Sequence, residues 1–418
     1  MSAQAPREAC YNLDMPRDCK PGSGMTPPHR PRGRFRAVLG AFLATALFFA
    51  ASRASAADAD PLVRMKFVDD SGQTIAAEGK VVVEAADGGV LLLGRDGRLW
   101  SITPRQKRVV ETIGRPFSLL TADELGRTLV GELGPHFEIV TTRHYVIATA
   151  AGPQYAQWCG DLFERLLGPF IAHWKAVGLN VSEPAGPLPA IVFADEHEFK
   201  AYAAADAGSF GEESKGYYSI RTNRIALYDL TAGKGKKRAT STAEIKRRTA
   251  AAAFNVATIV HEATHQIAFN SGLHVRFADN PLWLTEGMAM YFETSDLDSL
   301  HEGKTIGQIN RPRYDRFLAF TRGRRKRDSL TTLISRTDRF TDSHKAADAY
   351  AEAWALTYFL NERHPDEYVT YLKRLAEKPP LIWDEPAARL SDFKSAFSEK
   401  LPALDAEFIR YMKSLPKR

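Results

Sequence analysis

The chain has 418 residues, with 56 Lys and Arg against 50 Asp and Glu, a formal charge of +6 at pH 7. Eight of the basic and three of the acidic residues fall within residues 1–56, so the rest balances to within one charge and a nucleic-acid partner is not implied. The roughly 360 residues beyond that segment suffice for one large domain plus a small one, and Cys159 is their one cysteine, so the core must form without an intrachain disulfide.

Residues 1–56 read as an export signal. Arg30, Arg32, Arg34 and Arg36 precede an apolar run at 37–51, and Ala54-Ser55-Ala56 follows as a cleavage site. The run is short for a membrane span of about 20 residues, so a secretory signal and a periplasmic or extracellular protein are expected. Left uncleaved, residues 37–51 would anchor the protein in the membrane. Cys10 and Cys19 lie ahead of the run and no cysteine follows it closely, which excludes a lipoprotein attachment site. A start at Met25 would give a signal of more ordinary length than one at Met1.

Residues 57–116 read as a small β accessory domain, with strands at 62–68, 80–84, 90–94, 99–102 and 108–113. Asp87-Gly88-Gly89 and Asp96-Gly97 supply its hairpin turns. None of its residues carries chemistry, and packing or protein binding is its expected role. Residues 117–240 are mixed: a helix at 121–132, strands at 137–141 and 145–148, a long helix at 153–177, a buried strand at 190–194 and a short helix at 197–204. A hairpin at 216–229 then turns at Arg221-Thr222-Asn223-Arg224. Cys159 shares the helical apolar stretch of Leu162, Phe163, Leu166, Leu167 and Phe170 and is expected to be buried.

Residues 241–418 are read as almost all helix. Ser241-Thr242-Ala243-Glu244 has the form of a capping box. It opens a helix continued by Phe254, Val256, Ile259 and Val260 and stopped at Gly272, after Asn270. Further helical stretches fall at 281–294, 313–322, 328–335, 346–363, 365–376 and 391–414. Two basic runs, Lys234, Lys236, Lys237, Arg238 and Arg322, Arg324, Arg325, Lys326, Arg327, read as solvated loops and helix ends, with contact to an anionic envelope surface as the alternative.

The chemistry concentrates in His261-Glu262-Ala263-Thr264-His265 and in Glu286, which follows after a gap of 20 residues. Histidines four apart on a helix lie on one face, one turn apart, and both imidazoles reach one metal. Glu262 adjoins the first ligand, so its carboxylate can address water on the metal without binding the metal itself. Glu286 can add the third ligand from a second helix. The metal expected is a single Zn2+, and the expected activity is peptide hydrolysis with Glu262 as general base.

Pro281-Leu-Trp-Leu-Thr-Glu286-Gly-Met-Ala-Met-Tyr-Phe-Glu293 resembles the Trp-Leu-Asn-Glu-Gly-Phe-Ala-x-Tyr-x-Glu stretch of aminopeptidase-N type enzymes. The resemblance implies that Glu286 is the third zinc ligand. Tyr350-Ala-Glu-Ala-Trp-Ala-Leu-Thr-Tyr-Phe-Leu360 is similar to that family's Tyr-x-Lys-Gly helix, which implies that Tyr350 hydrogen-bonds the oxyanion. The chain departs from the pattern in three ways. The gap between His265 and Glu286 is two residues longer, a Gly-x-Met-Glu-Asn segment for holding a free amino terminus is absent, and Met290 stands where an Asp would orient a ligand histidine. Glu293 and Asp279 are the candidates for that orienting role.

Over residues 134–375 the chain more closely resembles peptidase-MA-like gluzincins, specifically a bacterial exported family. That resemblance implies an α+β protein: the small N-terminal β module, then a thermolysin-like catalytic domain divided into an α/β part (117–240) and a helical zinc-binding part (241–418). It also implies that the last strand before the zinc helix is a sheet edge able to pair with an extended peptide, so 217–220 or 225–228 should flank the cleft. Peptide or protein is the expected substrate, and the missing amino-terminus-holding segment favours an endopeptidase. His274, His301, His344 and His364 read as surface or capping residues. The rival readings are a catalytically silent fold used for binding or scaffolding at the cell envelope, and a zinc hydrolase acting on something other than peptides.

Overall fold

The computed structural model describes residues 60–231, 238–251, 253–293, 306–397 and 400–416. The leader at 1–56, Lys234, Lys236, Lys237 and His301 lie outside them. β1 (Pro61–Val68) alternates the buried Val63, Met65 and Phe67 with the exposed Arg64 and Lys66, the pattern of a sheet covered on one face. With β2 (Thr74–Glu84), β3 (Val90–Gly94), β4 (Leu99–Ile102) and β5 (Lys107–Pro116) it forms an antiparallel sheet in the order β4-β3-β2-β1-β5. β2 begins six residues earlier than the sequence pattern suggests. Ala76, Ala77 and Gly79 are poor strand formers, but they pair in register with Lys66, Met65 and Val63 of β1, and pairing outweighs propensity.

After α1 (Ala122–Leu133), β6 (Glu138–Thr141) and β7 (Tyr145–Thr149) come α2 (Pro153–Ala176), β8 (Leu188–Phe193), α3 (Glu196–Glu213), β9 (Gly216–Tyr218) and β10 (Ile225–Tyr228). Their sheet runs β6-β7-β8-β10-β9, with β7, β8 and β10 parallel and both edge strands antiparallel. Its three central strands are buried on both faces. Tyr145, Ile147, Ala190, Val192, Ile225 and Leu227 join the core that also contains α2, while Val146, Ala148, Ile191, Phe193 and Ala226 pack in the core with Leu125 of α1 and Phe199 of α3. Continuous apolar runs, rather than alternation, follow from that double burial. Cys159 is buried on α2 as expected. The two edges of the sheet are β6 and β9, and β10, the last strand before His261 and His265, lies inside it.

The remaining chain is helical: α4 (Thr242–Ala250), α5 (Ala253–Asn270), α6 (Leu282–Phe292), α7 (Arg311–Thr321), α8 (Ser329–Ser335), α9 (Asp338–Thr341), α10 (Ala346–Arg363), α11 (Pro365–Ala376), α12 (Pro386–Ala396) and α13 (Leu401–Ser414). The single helix expected from 241 to 270 is two. Ser241 caps α4 by accepting from the Glu244 N–H, but the Glu244 carboxylate turns to Arg248, so the reciprocal half of the capping box is replaced by an ion pair. The stretch expected as one helix at 391–414 is also two, because Pro402 is suited to a first helical turn and opens α13.

Every residue of α6 is buried, the mark of a core helix rather than a surface one. It packs against α10 at Gly287, where an added Cβ would stand 2.2 Å from Thr357 Oγ1 and 2.7 Å from the Ala353 carbonyl oxygen. Behind α10, the fully buried Glu352 accepts from Arg325 Nε (2.7 Å), Arg339 Nη2 (2.6 Å) and Ser329 Oγ (2.8 Å). The second basic run is therefore not wholly solvated: Arg325 is half-buried between Glu352 and Asp405, and Arg324 pairs with Asp348. Among the described residues no helix is long and apolar enough to cross a membrane.

Candidate metal centre

α5 and α6 bring His261, His265 and Glu286 to one point, all three buried, with one ligand atom from each within 4.8 Å of the others. His261 Nε2 lies 3.0 Å from His265 Nε2 and 3.2 Å from Glu286 Oε2, and His265 Nε2 lies 3.6 Å from Glu286 Oε1. Ligand atoms at zinc–nitrogen and zinc–oxygen distances in a tetrahedral site stand about 3.3 Å apart, so these edges match the spacing that a zinc ion imposes. Glu286 Oε1 is buried with no hydrogen-bond partner among the described residues. A buried carboxylate oxygen facing two imidazole nitrogens is costly unless a cation joins them. The cluster is suited to hold a divalent metal.

The backing of His261 explains its aim. Its Nδ1–H donates to Glu293 Oε1 at 2.8 Å, which fixes the tautomer and leaves the Nε2 lone pair directed at the cluster. Glu293 is itself held: Oε2 accepts from Asn310 Nδ2 at 2.9 Å, and Arg313 Nη2 stands 3.9 Å from Oε1. Asn310 also caps α7, so the start of that helix is tied to the carboxylate that backs His261. Asp279, the other candidate for the orienting role, is spent elsewhere. It is buried in a bidentate pair with Arg389, at 2.5 Å from Nη2 and 3.0 Å from Nε.

Burial dominates the electrostatics. It pushes Glu262 up to about 8, with Glu286 adding to the rise and His261 opposing it. Burial alone would lower His261, but its bonds to Glu286 and Glu293 prevail and hold it well above the usual imidazole range. His265 is driven well below that range by burial and by His261. The group of carboxylates thus needs positive charge, which either a protonated His261 or a divalent cation supplies. Glu262 Oε2 accepts the backbone N–H of Tyr218 at 2.8 Å, so its carboxylate is fixed against the sheet edge.

Tyr350 lies buried on α10, edge-on to Phe340 with ring centroids 5.2 Å apart. It interacts with Arg313, which burial pulls down to about 10 while Tyr350 acts against the fall. Tyr350 therefore stands beside the group that backs Glu293. His274 differs from the surface residue that its position suggested: it is buried, packs on Phe269, and neither ring nitrogen has a partner among the described residues. Burial lowers it to about 4. His344 is exposed, and His364 bonds Glu407 at 3.2 Å. Asn310, Arg313 and the amide of Tyr218 escaped the sequence reading, because each contributes through a cap, a long-range pair or the backbone and none belongs to a spaced motif.

Residues 255–382 match a family described as "Protein of unknown function (DUF1570)". The matched stretch contains His261, Glu262, His265, Glu286, Glu293 and Tyr350. Among curated proteins, none matches this chain.

Proposed function

We propose that this chain is a zinc-dependent metallopeptidase of the gluzincin kind, exported from the cytoplasm and cutting within peptide or protein chains. The observation that carries the reading is the convergence of His261, His265 and Glu286 at 3.0–3.6 Å, with Glu262 buried beside them. A binding module has no use for a buried carboxylate next to a three-ligand metal cluster.

His261, His265 and Glu286 would hold the ion, and Glu293 would keep His261 aimed at it. When bound, zinc supplies Lewis acidity, polarising a peptide carbonyl and acidifying water near neutral pH. Glu262 takes the proton from the attacking water and returns it to the leaving amine. Its bond from the Tyr218 N–H keeps the carboxylate in one orientation for both transfers. Tyr350 donates to the oxygen on which negative charge develops. β9 offers a sheet edge beside Tyr218, along which an extended substrate can lie. The sequence lacks the Gly-x-Met-Glu-Asn segment with which aminopeptidase-N type enzymes hold a free amino terminus, which favours internal cleavage.

The test is Glu262→Gln. The variant is expected to keep its metal and lose hydrolysis of a peptide library that the wild type cuts. Turnover retained by the variant would remove Glu262 from the mechanism.

A further inference from the structure

We infer that Arg276 is a positioning residue for Glu262, and that through it the N-terminal β module is a working part of the active centre. The inference rests on the reading of Glu262 as general base. Its starting point is the β9–β10 hairpin, whose turn is gripped from two sides.

On one side is the zinc-binding helix α5. Gln266 Nε2 donates to the carbonyls of Asn223 (2.8 Å) and Pro189 (2.9 Å). Asn270 Nδ2 donates to Asn223 Oδ1 at 2.7 Å, Asn223 Nδ2 donates back to Asn270 Oδ1 at 3.0 Å, and Asn223 Oδ1 also accepts from Tyr218 Oη at 2.8 Å. Asn223 has a left-handed backbone (φ 61°), which asparagine tolerates better than most residues.

On the other side is the β3–β4 turn of the β module. The Leu99 N–H donates to the Arg221 carbonyl at 2.7 Å. Gly97, itself left-handed at φ 83°, lies so close that an added Cβ would meet Asn223 Nδ2 at 3.3 Å. Arg276, from the loop after α5, ties the two surfaces together: one nitrogen, Nη1, donates to the Gly97 carbonyl at 2.8 Å and to the Ile220 carbonyl at 3.3 Å. Ile220 is two residues from Tyr218, whose N–H holds Glu262.

The chain of contact is short. The β module and Arg276 fix the Ile220–Arg221 carbonyls, these fix the turn, and the turn sets where the outward N–H of Tyr218 meets the Glu262 carboxylate. Loosening Arg276 should therefore free the edge amide and misdirect the base while leaving the metal ligands on α5 and α6 untouched.

The experiment compares wild type, Arg276→Met and Arg276→Lys as full-length protein, by three readouts: zinc per chain, steady-state kinetics, and amide hydrogen exchange of the peptide containing Tyr218. Arg276→Met should keep its zinc, lose about tenfold in kcat with KM little changed, and speed exchange at Tyr218 by a similar factor, with protection elsewhere preserved. Arg276→Lys, which can still reach one carbonyl, should recover part of both effects, and it is read in the same way should Arg276→Met not fold. Unchanged exchange at Tyr218, or a rise spread evenly over the chain, would overturn the inference. Should the wild type itself show no turnover, the proposed function fails and the exchange data still decide the positioning role.

Discussion

Replacing Glu293 by alanine should weaken zinc binding by about 10–100-fold with all three proposed ligands still present. Glu293 Oε1 accepts the Nδ1 proton of His261 at 2.8 Å, and the Glu293 side chain is only 8% exposed beside the buried His261. A hydrogen bond to a charged group contributes about 1.5–3 kcal/mol, a factor of at least ten in affinity if it is lost only when His261 must face the metal. Two neighbours push the effect toward the upper end. Asn310 Nδ2 loses its 2.9 Å acceptor, and the half-buried Arg313 loses the carboxylate 3.9 Å from its Nη2. Glu293→Gln retains an acceptor without the charge and should fall between. The assay is competition with a chromophoric zinc chelator near neutral pH, beside thermal melts that establish a folded variant. A Glu293→Ala affinity within about twofold of wild type would refute the claim that this carboxylate orients His261.

Gly287→Ala should destabilise the protein by about 1–3 kcal/mol, seen as a lower urea midpoint, since the new methyl meets the Ala353 carbonyl at 2.7 Å and backbone cannot rotate away. Glu352→Ala should cost about 3 kcal/mol by the same measurement, because the half-buried Arg325 and Arg339 would lose their shared carboxylate, with Asp405 still partnering Arg325. His274, held down to about 4, binds fewer protons folded than unfolded between pH 4 and 6.5. Its contribution therefore weakens stability as pH falls through that window, by about 2 kcal/mol between pH 7 and pH 5. Urea titrations at the two pH values should show this loss in the wild type and a smaller one in His274→Leu.

The parts of the site that were legible in the sequence are those set by local spacing. His261 and His265 lie one helical turn apart, and Glu286 follows in a segment with a recognisable pattern, so the chain itself states which atoms can meet. Glu293 could be shortlisted with Asp279 but not chosen, because the choice depends on Arg389, 110 residues from Asp279, having claimed the other carboxylate. The fold was readable to a similar depth. The one-faced β module, the mixed sheet and the helical half each follow from their apolar periodicity. The break between α4 and α5 does not, since the alanines around it favour helix throughout. The same holds for β2, whose first half is a strand only because β1 lies beside it. The role of the β3–β4 turn was invisible for a different reason: its contacts to the hairpin run through backbone groups, and backbone leaves no pattern in a sequence.

The most direct test of the account is the metal content of the purified protein by mass spectrometry, wild type beside His265→Ala. The account predicts one zinc per wild-type chain and its loss in the variant. No zinc in the wild type, after purification without chelator and with zinc supplied, would contradict it.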